Sequence, residues 1–102
     1  MKYVFQPNEQ YTETVIQGRF TFNDHHAFRG LLDKMLGCSS ASRHILDLSQ
    51  VEFIDSAGLG MLLIAKEETA KAKSSIEIRN PSGQVQKILE IAKFTDLFSI
   101  QS

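Results

Sequence analysis

The chain of 102 residues is one domain by size, and its 42% hydrophobic and 23% charged content is that of an ordinary globular protein. A formal net charge of −1 gives no reason to expect nucleic acid or an anionic membrane as partner, and the longest apolar run, Gly58–Ala65, is too short to insert across a bilayer. Met1–Pro7 lacks the apolar core of a secretion signal, and Cys38 is the single cysteine, an unreactive loop thiol with no disulfide partner, so a reducing cytoplasm is the expected location.

Lys2–Gln6 and Thr12–Gln17 have the aromatic and β-branched content of strands, and Pro7-Asn8 between them is turn chemistry, which predicts an antiparallel hairpin. Gly18 is expected to break the second strand. Arg19–Phe22 then leads to a helix over Asp24–Leu36, capped by a side-chain oxygen of Asn23 or Asp24. Phe28, Leu31, Leu32 and Met35 fall at i, i+3, i+4 and i+7, one apolar stripe, and Gly37 stands where a left-handed cap commonly ends a helix. Cys38–Ser42 reads as loop, and Arg43–Leu48 as a buried strand with little room for a solvent face.

Ser49–Ser56 is expected to be a loop at the carboxyl end of that strand, where α/β folds meet their ligands and partners. A helix over Ser56–Lys73 follows. Its nearly continuous apolar start, Leu59–Ala65, should press against the sheet, and its charged second half should be solvated, with Glu67 and Lys71 spaced for i,i+4 support. Ser75–Arg79 reads as a strand and Asn80-Pro81-Ser82 as turn and cap. A helix over Gly83–Phe94 carries Val85, Ile88, Leu89 and Ala92 on one stripe, and Asp96–Ile100 adds a last short strand. The order ββαβαβα(β) predicts an α/β domain: a mixed four- to five-stranded sheet packed with three to four helices.

Val51–Gly60 carries the chemistry. Gly58-Leu59-Gly60-Met61-Leu62-Leu63 lacks the third glycine of a dinucleotide loop, and no lysine stands in P-loop spacing. Ile54 occupies the first glycine position of a nucleophile elbow, and no histidine is placed to activate Ser56. His25 and His26 would point about 100° apart on a helix and read, like His44, as polar surface residues rather than metal ligands. No catalytic residue, cofactor or metal is therefore expected. Asp55 and Ser56 interrupt two apolar segments, so they should be exposed, and Gly58 and Gly60 would let another backbone approach. Ser56 is then either a modification site on a protein–protein surface or a plain helix cap.

His44-Ile45-Leu46-Asp47-Leu48-Ser49 followed by Val51, Phe53, Ile54 and Asp55-Ser56-Ala57-Gly58-Leu59-Gly60 closely resembles the central signature of STAS domains. Within them it looks most like the small bacterial anti-sigma factor antagonists. Gly18-Arg19-Phe20-Thr21 resembles the strand end before that family's first helix. Ile88-Leu89, Phe94, Leu97-Phe98 and Ile100 resemble its C-terminal helix and last strand, so the likeness spans a single STAS domain over residues 1–102.

The resemblance implies a non-enzymatic switch. An anti-sigma factor with a GHKL-type serine kinase fold would phosphorylate Ser56 from ATP, and a PP2C-type phosphatase would restore it. Only the unphosphorylated antagonist would bind the anti-sigma factor and free its sigma factor. Asp55 would help present the hydroxyl, and Ala57, Gly58, Leu59 and Gly60 would shape the contact surface. Thr21, Asn23 and Asp24 fall in a second partner-facing turn. Ala57 departs from the Ser or Thr common in relatives and leaves Ser56 the one hydroxyl of the motif. Thr21 departs likewise where the family often has Asp. The alternative within the same family is an adaptor docked constitutively on another complex, such as a lipid-transport ABC ATPase, with Ser56 as helix cap and contact residue.

Overall fold

Period-two alternation lays down the first hairpin. A computed structural model describes residues 1–38 and 40–101, with strand β1 over Lys2–Pro7 and β2 over Tyr11–Phe20, paired antiparallel from Lys2↔Gln17 to Pro7↔Thr12. Thr12, Thr14 and Ile16 point into the core while their neighbours stay half-exposed. Asn8 folds the connection: its Oδ1 accepts from the N–H groups of Gln10 and Tyr11, both at 2.9 Å. Gly18 does not end β2. It takes φ +88°, the pairing with the next strand shifts register beside it, and the strand continues to the fully buried Phe20. The glycine makes a kink, not a break.

A 3-10 turn over Phe22–Asp24 leads into helix α1, His25–Leu36, whose predicted stripe Phe28, Leu31, Leu32 and Met35 is wholly buried. Neither Asn23 nor Asp24 caps α1 with its side chain; Asp24 reaches back instead, its Oδ2 accepting from the Thr21 N–H at 2.8 Å. Gly37 keeps a right-handed φ of −72°. The left-handed positions fall at Lys73 and Lys93, just past the next two helices, and at Asn80. The predicted loop at Cys38–Ser42 includes Ser39, which lies outside the described residues, as does Ser102.

Strand β3 runs Arg43–Ile54, six residues past its expected end, because the long β2 continues beside it as far as Phe20↔Ile54. The expected Ser49–Ser56 loop shrinks to Asp55. Helix α2 spans Ser56–Lys71, strand β4 Ser75–Arg79, helix α3 Gly83–Ile91, and after a 3-10 turn over Phe94–Asp96 strand β5 closes at Ser99–Gln101. Strand order is β1-β2-β3-β4-β5, with only the first pair antiparallel. Three crossovers step the same way along the sheet, and all three helices pack into one core cluster, as parallel crossovers of a single hand require. The sheet face away from that cluster carries charge, with Arg79 at 3.5 Å from Glu13 and 3.6 Å from Glu77, and Arg43 paired with Glu77.

The core lies between that sheet and the helices. Phe20 and Phe28 meet with ring centroids 5.1 Å apart, and Leu46, Leu48, Ile54, Leu62, Ile78, Val85 and Leu89 complete it. The start of α2 does not press wholly against the sheet: Met61, Leu62 and Ala65 are buried, but Leu63 is 36% and Ile64 41% exposed. Helical geometry requires this, since a continuous apolar run must turn part of itself outward every 3.6 residues. Among the described residues Glu67 and Lys71 form no ion pair, and both are exposed. No helix among them is long and apolar enough to cross a membrane.

Candidate functional site

The Ser56 corner forms where β2 and β3 end side by side. Phe20 and Ile54 are the last pair in register, and the Asp55 N–H still donates to the Phe20 carbonyl at 3.3 Å before the chain turns into α2. Asp55 is extended, at φ −99° and ψ −178°, and is the N-cap. Its Oδ1 accepts from the Gly58 N–H at 2.8 Å, and its carbonyl takes the first helical bond from the Leu59 N–H at 3.0 Å. Its Oδ2 accepts from the Phe22 N–H at 3.2 Å. One carboxylate thus caps α2 and ties it to the turn before α1. The two regions expected to face a partner, 55–60 and 21–24, are stitched together by it.

Ser56 is the first residue of α2 and is exposed, with no hydrogen-bond partner for its hydroxyl among the described residues. The cap is Asp55, so Ser56 is not serving as one. The first-turn N–H groups of Ser56 and Ala57 are likewise without an intrahelical acceptor, as at every helix start. An anion on the Ser56 side chain would meet those donors and the positive end of a 16-residue helix.

The glycines divide. A Cβ on Gly58 would lie 2.5 Å from the Phe20 carbonyl oxygen and 2.7 Å from Ile54 Cγ1, so the backbone that approaches Gly58 is the protein's own. A Cβ on Gly60 would meet nothing within 4 Å. Ala57 and Leu59 are half-buried.

In the neighbouring turn Asn23 points to solvent, Thr21 is half-buried and Asp24 is buried. Both Asp24 oxygens are engaged, Oδ1 by the Met1 ammonium at 2.7 Å and Oδ2 by Thr21. Burial pushes the Asp24 carboxyl up, but the hydrogen bonds from the ammonium and Thr21, with the attraction of that ammonium, outweigh it and hold the group below its ordinary value. Phe22 is the residue that sequence reasoning passed over. It is 74% exposed beside Asp55, and the only signal was an aromatic side chain in a turn otherwise made of polar residues.

The histidines separate in the same way. His25 and His26 are exposed, as expected, whereas His44 is 2% exposed and its Nδ1 lies 2.8 Å from Thr12 Oγ1. Burial lowers its pKa below the ordinary 6.5. His44 stands near the start of β3 and Ser56 just past its end, roughly 30 Å away at a strand's rise per residue, so the two cannot form a dyad. No three His, Cys, Asp or Glu side chains among the described residues gather closely enough to hold a metal ion.

A family model described as "Mlab, STAS domain" matches residues 6–99. A STAS-domain containing protein of Pseudomonas aeruginosa (strain UCBPP-PA14) is 36% identical over 85 residues, which is 83% of this chain and 82% of that protein. The fold is that of the anti-sigma factor antagonist SpoIIAA in its unphosphorylated form, with TM-score 0.76 at 18% identity over 99% of this chain and 89% of that one. It is also that of an anti-sigma factor antagonist from Mycobacterium paratuberculosis, with TM-score 0.84 at 16% identity over 98% and 84%. The fold is not confined to antagonists: a sulfate transporter family protein from Wolinella succinogenes has TM-score 0.74 at 21% identity over 94% and 79%.

Proposed function

The chain belongs to the STAS domain family, and we propose that within it the protein is an anti-sigma factor antagonist switched by phosphorylation of Ser56. The observation that carries this is the division of labour at the corner: Asp55 caps α2, leaving the Ser56 hydroxyl exposed and unpartnered. A GHKL-type serine kinase, itself the anti-sigma factor, transfers the phosphoryl group from ATP to Ser56, and a PP2C-type phosphatase removes it. The protein performs no catalysis of its own and works in the cytoplasm.

Phosphate on Ser56 adds about −1.5 to −2 charge at a helix start that can accept it, so the fold persists. A partner fitted to the neutral corner meets bulk and like charge instead, which can cost several kcal/mol, and each 1.4 kcal/mol is tenfold in affinity. Gly60, with open space about it, and the exposed Phe22 and Asn23 of the turn that Asp55 ties to α2 would form part of the surface such a partner meets.

Incubation with the cognate kinase and ATP is expected to add one phosphate, which Ser56→Ala abolishes, and Ser56→Asp is expected to bind the kinase at least tenfold more weakly than wild type. Equal binding by Ser56→Asp would remove the switch. Copurification with an ABC ATPase, and no phosphate on Ser56 in cells, would replace this reading with the constitutive adaptor.

A further inference from the structure

The turn over Phe22–Asp24 is held in two unequal ways. Internally it is closed by Asp24, whose Oδ2 accepts from the Thr21 N–H at 2.8 Å and whose own N–H donates to the Thr21 carbonyl at 2.9 Å. Towards α2 a single hydrogen bond holds it among the described residues, from the Phe22 N–H to Asp55 Oδ2 at 3.2 Å. Packing adds little there, since Phe22 is largely exposed. The same carboxylate caps α2 with its other oxygen, 2.8 Å from the Gly58 N–H and partly buried. Asp55 therefore makes a tight inner bond and a longer, solvent-facing outer one, and the next residue in the chain is Ser56.

We infer that Asp55 is a relay: phosphate on Ser56 breaks the outer bond and frees the Phe22 turn from α2, while the cap holds. The inference rests on the reading of Ser56 given above. The first-turn N–H groups of Ser56 and Ala57 draw the phosphate in to the helix start, which sets it against the Asp55 carboxylate. Two anions sharing one cluster of donors repel, and the bond that yields is the longer one, which already competes with water. The bond to Gly58 persists because its loss would strand a partly buried N–H. A partner that grips residues 21–24 in their tied arrangement then senses the phosphate without touching it.

Protein carrying a genetically encoded phosphoserine at position 56 tests this without any kinase, by amide exchange read residue by residue in NMR spectra. The Phe22 N–H is expected to exchange about tenfold faster than in the unphosphorylated protein, and the Gly58 N–H to change by less than about twofold. Asp55→Asn separates the two bonds, because its amide oxygen can still cap Gly58 whereas its NH2 group cannot accept from Phe22. In that variant Phe22 is expected to exchange fast already, and the phosphate to add nothing. Should Asp55→Asn fold poorly, the two forms of the wild-type sequence decide the matter by themselves. Equal Phe22 exchange in those two forms overturns the relay while the Ser56 reading stands, because bulk and charge at Ser56 alone can exclude a partner. Equal acceleration at Phe22 and Gly58 also overturns it, since the whole helix start would then be opening. Protein that takes no phosphate from its kinase overturns the Ser56 reading, and the relay with it.

Discussion

The two ends of strand β3 treat polar groups in opposite ways. At the Arg43 end, His44 is turned inward and satisfied by Thr12, sealed beneath the helices. At the Ile54 end, Asp55 gathers the local N–H groups, while Ser56 and Phe22 are exposed and the Ser56 hydroxyl has no hydrogen-bond partner among the described residues. One end closes the fold and the other offers a surface. A buried polar pair is maintained because leaving either member alone is costly. An exposed hydroxyl and an exposed aromatic side chain have no such justification from stability. Gly58 and Gly60 repeat the contrast within a single helical turn.

That contrast can be broken by substitution. Gly58→Ala should have the largest effect, because its methyl group would be forced into the Phe20 carbonyl and Ile54; about 3 kcal/mol of destabilisation is expected in urea unfolding. Asp55→Ala removes the α2 cap and the tie to the Phe22 turn together, and about 1–2 kcal/mol is expected, read as a lower midpoint in the same experiment. Gly60→Ala should move the other way. With open space around its Cβ it is expected to stabilise the free protein by about 1 kcal/mol while weakening kinase binding, an opposition that Gly58→Ala cannot reproduce.

The smallest effect belongs to the closed end. His44 has a folded pKa depressed by burial, so below about pH 6.5 the unfolded chain binds a proton that the folded one resists. Its contribution is fully present above that pH and is lost as pH falls towards the folded value. His44→Asn should flatten this part of the stability–pH curve, measured by thermal melts between pH 7 and pH 5.

Much of this was legible beforehand. β4 was placed to the residue and the α1 stripe in full, because both follow from local periodicity. β3 was cut short because Ser49, Gln50 and Glu52 look like loop residues, and only the parallel neighbour β2 keeps them extended. Gly18 looked like a breaker for the same reason, its role as a kink being fixed by pairing rather than by sequence. At the site, Asp55 and Ser56 were both expected to be exposed; Ser56 is, but Asp55 is half-buried as the α2 cap. Its second oxygen holds a residue 33 positions away, which no local pattern reports. Asp24 turned inward for a similar reason, since its partners come from the strand end and the chain start. Phe22 was overlooked because an exposed phenylalanine leaves no periodic trace.

The assignment of the α2 cap to Asp55 and not Ser56 also bears on time. A residue that holds no part of the scaffold can carry a covalent mark without altering how long the scaffold lasts. A phosphate ester on Ser56 would survive local opening and refolding of the helix, so its lifetime would be set by the enzymes that write and erase it. The domain would then serve as a durable record of their balance, readable well after the signal that tipped it has passed.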